Sequence, residues 1–291
     1  MLGECHAHIF MDAMNLKTAT ARHADKVDES VIHKHFEEYA KREITFIRDG
    51  GDALGVSERA KDLAGDYGID YRTPIFAIHK NGYYGGIVGK GFDTIEEYKA
   101  LVLEAKERGA DFIKIMTTGI MDFDQTGVIT GTDLTEEDVT AMIAIAHEEH
   151  LAVMAHTNGA SAVKIAVKAG VDSIEHGNYL DEEAMRMMAK QSVIFVPTCT
   201  VVPNQMGHGL FHEDSLRRIW DISRENIRKA FDLGVCLAAG SDAGAHLVYH
   251  GEGLLDEVKR LRSIIPEEEA LMQRLTESES RIRQKFCAGS I

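Results

Sequence analysis

Eight short apolar runs, each followed by a segment of helical periodicity, recur along the whole chain and restrict the folds open to it. They cover residues 2–6, 44–48, 74–79, 111–116, 151–156, 171–176, 193–198 and 235–241. Runs without a polar face, separated by helices, are predicted to be parallel strands covered on both sides in βαβ units. An open doubly wound sheet shows the same alternation. Eight such units within 291 residues match the size of a (β/α)8 TIM barrel, an α/β fold that holds its site residues at one rim. Residues 1–291 are therefore expected to form a single barrel domain. A charged helical extension, expected from about residue 267, should pack on its outside.

The helices carry their own punctuation. Thr94 and Glu97 have the spacing of a capping box, with Gly109 as the stop. Thr135, followed by Glu136, Glu137 and Asp138, opens another helix with acids at its positive end. Within it Val139, Met142, Ile143 and Ala146 fall at i, i+3, i+4 and i+7, one buried stripe.

Charge and composition narrow the partners. The net charge is −15 and the bases form no stripe, which argues against a nucleic-acid partner. No apolar run reaches the roughly 18 residues a membrane helix needs, and Met1 to His8 is too short and polar for a signal peptide. A cytoplasmic location is the expectation. Cys5, Cys199, Cys236 and Cys287 form no C-x-x-C pair, which argues against a disulfide framework or a zinc ribbon.

Fourteen histidines are unusual, and position decides their meaning. His6 and His8 end the first strand; alternating faces aim both the same way, about 7 Å apart along the strand. An H-x-H pair is by itself a weak sign of metal. His156 ends the fifth run, His176 the sixth, and Asp242 follows the eighth among small residues. Each alone reads as well as a hydrogen-bonded structural residue. In a barrel, however, these strand ends converge on one rim, and four histidines with one aspartate there form a strong joint sign of metal.

Lys114 lies among Phe112, Ile113, Ile115 and Met116. One reading is a buried lysine paired with an acid such as Asp242. In the other, burial beside cations lowers its pKa, and the free amine takes up carbon dioxide to become a carbamate that bridges two metals.

These residues together resemble the amidohydrolase superfamily, in its imidazolonepropionase-like and Xaa-Pro dipeptidase-like branch. His6, His8, Lys114, His156, His176 and Asp242 fall in order at that branch's metal positions. Arg48-Asp49-Gly50-Gly51 and Ile174-Glu175-His176-Gly177 are also similar to it. The resemblance implies two divalent metal ions, zinc being well suited by nitrogen and oxygen ligands, with a carboxylated Lys114 between them. His6, His8 and Asp242 would hold the inner ion, and His156 and His176 the outer. Asp242 would also be the catalytic proton carrier. The implied activity is metal-dependent hydrolysis of an amide-type C–N bond in a small-molecule substrate such as a dipeptide, N-acyl amino acid or cyclic amide. The small β-sandwich domain usual in relatives is expected to be absent, which would leave a surface for a homo-oligomer. His79, Tyr83 and Tyr84, at and after the third strand, are candidate substrate contacts.

Three other readings compete. A binuclear lactonase or phosphotriesterase would use the same cluster on another electrophile. A mononuclear deaminase is disfavoured, because Gly159 stands where a glutamate is expected three residues after the strand 5 histidine. A barrel that binds metal without turnover would have no use for Asp242 as a proton carrier.

Overall fold

The structure, a computed structural model, describes residues 2–288; Met1 and residues 289–291 of the expected domain lie outside them. Ten strands are described: β1 (Glu4–Ala7), β2 (Phe46–Asp49), β3 (Asp70–Arg72), β4 (Ala77–Lys80), β5 (Gly89–Phe92), β6 (Ile113–Met116), β7 (Val153–Thr157), β8 (Ser173–His176), β9 (Ile194–Val196) and β10 (Cys236–Leu237). They form two parallel sheets, ordered β1-β2-β3 and β10-β9-β8-β7-β6-β4-β5. Helices between successive strands bury Val139, Met142, Ile143 and Ala146, among others, against the sheets.

Two backbone links run between the sheets. On one side β1 meets the segment after β10: Cys5 N donates to Ala239 O at 3.0 Å, Asp242 N to His6 O at 2.8 Å and His8 N to Ala243 O at 2.7 Å. On the other side β3 leads directly into β4. Pro74, which has no N–H to give a ladder, and Ile75 at φ 67° break the strand there. Thus β3 pairs with β2, while β4 pairs with β6. The single run expected over 74–79 is two segments in space for this reason. The strand β5, Gly-Lys-Gly-Phe, has too little apolar character to be foreseen, yet it pairs in register with β4.

A helix spans Glu268–Lys285. Its last turns reach under the strands, where Ile282 and Phe286 are wholly buried with Cys5, Phe46, Phe112 and Met154. Phe286 meets Phe112 edge-on at 5.4 Å, and the Arg48 guanidinium lies 4.5 Å from the Phe286 ring. Gly3 N donates to Glu279 at 2.7 Å, tying the helix to the start of β1. It closes the N-terminal end of the strands.

Candidate metal centre

The opposite, C-terminal end holds the polar residues. Between the pairs Glu4↔Ile47 and Ala7↔Asp49, β1 advances three residues while β2 advances two. This irregularity accompanies two imidazoles whose ring centroids stand 5.4 Å apart. Gly50 makes room for the second, since a Cβ there would lie 2.3 Å from His8 Cε1. Asp242 arrives from the segment after β10, with Oδ1 3.6 Å from His6 Nε2 and 3.4 Å from His8 Nε2. One ligand atom from each of His6, His8 and Asp242 lies within 4.8 Å of the others, a spacing able to hold a cation.

The remaining expected ligands line the same floor. The His176 ring is 5.0 Å from His6 and 4.6 Å from His156. Lys114 and His156 point inward from neighbouring strands β6 and β7, whose register pairs Met116 with His156. His176 Nδ1 is 2.8 Å from Thr198 Oγ1. His156 Nε2 lies 3.0 Å from Gly119 O, which places it outside the tight His6–His8–Asp242 group.

Positive backbone φ angles mark this rim. His176 (68°), Thr198 (47°) and Asp242 (63°) all adopt the left-handed region, unfavourable for residues with a Cβ. In a regular strand Glu175 and His176 would face opposite ways. The turn at His176 lets both serve one site.

Burial sets the electrostatics. It holds His8 and His156 down to about 3, and His6 and His176 well below the ordinary histidine value; the nearby Lys114 charge acts in the same direction. Four neutral imidazoles are thus available as donors. Burial also lowers Lys114 to about 8, with Arg48 assisting and Glu175 and Asp242 opposing. It raises Asp242 to about 6, against the pull of Lys114. His6 Nε2, His8 Nδ1 and Lys114 Nζ are buried without a hydrogen-bond partner. Buried polar atoms left open are costly unless something binds them. This donor set fits divalent metal.

The supporting residues are richer than sequence reasoning foresaw. Glu175 is fully buried, with Oε2 2.8 Å from His6 Nδ1. It accepts from Arg48 Nη2 at 2.8 Å and from Ser173 Oγ at 2.6 Å. Arg48 Nε donates to Cys5 O at 2.7 Å. With Nδ1–H directed to the carboxylate, His6 Nε2 keeps its lone pair toward Asp242. Asp49 accepts from Ile9 N, Gly51 N and Ser57 Oγ, pinning the turns after β1 and β2. Glu175 was open to discovery in the sequence as a carboxylate within an apolar run; its partner His6, 169 positions away, was not.

Above the floor opens a cavity of about 1160 Å³, lined by His8, Lys114, His156, His176 and Asp242 among others. Tyr84 lines it, its ring 5.0 Å from His156. His79 and Tyr83 do not. His79 packs against Gly85 and places Nδ1 3.1 Å from its neighbour Lys80 O, and Tyr83 turns toward the Lys80 ammonium.

The amidohydrolase family model matches residues 4–272, and the chain belongs to that family. Ochratoxinase of Aspergillus niger is 29% identical over 194 residues, 63% of this chain and 38% of that protein, so the chain spans well under half the relative's length. A solved Xaa-Pro dipeptidase with methionine bound in its active site is similar over 97% of this chain and 75% of that one, at 25% identity and a TM-score of 0.78. The crystal structure of A. niger ochratoxinase aligns over 90% of this chain and 68% of that one, at 21% identity and a TM-score of 0.72. These likenesses identify the parallel sheets as a TIM-barrel-like α/β fold. No helix among the described residues is long and apolar enough to cross a membrane.

Proposed function

We propose that this protein is a metal-dependent hydrolase of an amide-type C–N bond in a small molecule. Its eight strand positions (β1, β2, β3 with β4, β6, β7, β8, β9 and β10) would close into one barrel, β5 lying outside the count. The observation that carries the reading is the meeting of His6, His8 and Asp242 beside the open Nζ of Lys114. His6, His8 and Asp242 would hold one divalent cation, and His156 and His176 would hold a second.

 Zinc suits this set of nitrogen and oxygen donors. Bound divalent cations supply Lewis-acid polarisation of a carbonyl oxygen and bring the pKa of a coordinated water to about 7.

The chain's own residues do the rest. The lowered Lys114 amine can add to carbon dioxide: its lone pair forms the N–C bond as one C=O π bond opens, one proton leaves to solvent, and the resulting carbamate would offer the cluster two oxygens sharing one negative charge. Asp242 Oδ accepts the proton of the attacking water and delivers it to the leaving nitrogen. Glu175 and Arg48 hold His6 in the tautomer that keeps Nε2 free. The test is hydrolysis of N-acyl amides by zinc-loaded protein, with lactones and phosphotriesters in parallel. Amide turnover that chelation abolishes and zinc restores is the expected result. Turnover confined to lactones or phosphotriesters, or unaffected by chelation, would overturn it.

A further inference from the structure

The cavity above the floor has an unusual wall. The loop after β6 supplies Phe123 and the loop after β9 supplies Phe211, and the two rings stack at 4.8 Å with 27° between their planes. They pack on Met121 and Val202 in an apolar cluster separate from the main core. Met11, Met14 and Met116 line other parts of the cavity, giving it thioether surface able to adapt to irregular shapes. A volume of about 1160 Å³ accommodates a molecule well beyond the size of a small amino-acid derivative.

Fixed charge is scarce in that lining. Among the described residues that line it, the charged ones apart from histidines are Lys17, Lys114 and Asp242, and none is an arginine. Lys114 and Asp242 belong to the floor, and Lys17 is exposed, where water and salt screen its charge. A substrate carboxylate seated against the apolar Phe123–Phe211 wall would give up part of its hydration with no arginine in the lining to replace it, which is unfavourable. The net charge of −15 further disfavours the approach of an anion.

Resting on the hydrolase reading above, we propose that the substrate is a bulky, apolar amide without a free carboxylate, its hydrophobic portion seated on the Phe123–Phe211 wall. Dipeptides and N-acyl amino acids with an ionised terminus are then poor substrates. The specificity comes from an absent counter-charge as much as from the apolar surface.

A matched pair tests this on the zinc-loaded enzyme: N-(1-naphthoyl)-phenylalaninamide and its free acid. The neutral compound should show at least a tenfold higher kcat/KM. Leu210, at the cavity lining and 57% exposed, is a site where a cation can be introduced with little disturbance. Leu210→Arg should move the ratio at least tenfold toward the acid. A second readout does not need turnover. Trp220, the sole tryptophan, packs against the same apolar cluster, so its fluorescence can follow binding of 1-naphthamide and 1-naphthoate. The amide should bind at least tenfold more tightly. Wild-type preference for the acid, or a ratio unmoved by Leu210→Arg, overturns the proposal even if amides are hydrolysed. Tighter binding of the neutral probe without any amide turnover supports the apolar site and overturns the hydrolase reading instead.

Discussion

The two ends of the strand bundle are built on opposite principles. At the N-terminal end Phe46, Phe112, Met154, Ile282 and Phe286 close on one another with their apolar surface buried. At the C-terminal end His6, His8 and Lys114 keep polar atoms buried without partners, and His176, Thr198 and Asp242 hold unfavourable backbone angles. The first end stabilises the fold. The second gives up stability in the constellation proposed to hold metal, at the C-terminal face of the strands.

Phe286→Ala tests the closed end. Removing a fully buried aromatic ring should destabilise the protein by about 3–5 kcal/mol, measured by urea unfolding, while folded molecules retain their kcat. An equal loss of kcat in the folded fraction would mean that the two ends are not separable. Asp242→Asn tests the open end: kcat should fall roughly 10³-fold, with the unfolding midpoint little changed. Activity within a few-fold of wild type would remove Asp242 from proton transfer.

Lys114→Met should have opposite effects on the two properties. It replaces an unpartnered buried amine with an apolar chain of similar reach, so the chelator-treated protein should gain about 1–3 kcal/mol, even as activity is lost. Destabilisation by this change would show that the ammonium is held by its surroundings. Glu175→Gln weakens the acceptor of His6 Nδ1–H and should lower zinc affinity about 10–100-fold, read by competition with a chelator of known strength.

A further effect is on pH dependence. In the metal-free protein His8 and His156 stay neutral down to about 3, whereas in the unfolded chain they take protons near 6.5. Between those limits the unfolded state binds more protons, so stability rises with pH from about 3 to 6.5 and is lost on acidification. A His8→Asn, His156→Asn double variant, treated with chelator, should lose much of that slope. An unchanged slope would place its origin elsewhere.

The same contrast explains what could be read in advance. Lys114, His156 and His176 were legible because a polar residue in an apolar run is conspicuous, and strand ends share a rim in this architecture. The break at Pro74–Ile75 was hidden within a run that looked continuous, since only the backbone at Ile75 reveals it. The strand β5 was missed because its pairing with β4, not its composition, makes it a strand. The charged pattern of the helix Glu268–Lys285 suggested a surface appendage; the burial of Ile282 and Phe286 depends on which strands lie above them, which no local pattern encodes. Tyr84 reaches the cavity while Tyr83 does not because adjacent residues in a turn diverge, and periodicity gives no guide there.

Metal analysis together with anomalous diffraction from zinc-grown crystals tests the central claim most directly. Two zinc ions per chain are predicted, one held by His6, His8 and Asp242 and one by His156 and His176, with carbamate density on Lys114 Nζ and His156 Nε2 withdrawn from Gly119 O. Zinc-replete protein with no ion at His6, His8 and Asp242, or with His156 still directed to Gly119 O and Lys114 unmodified, would contradict it.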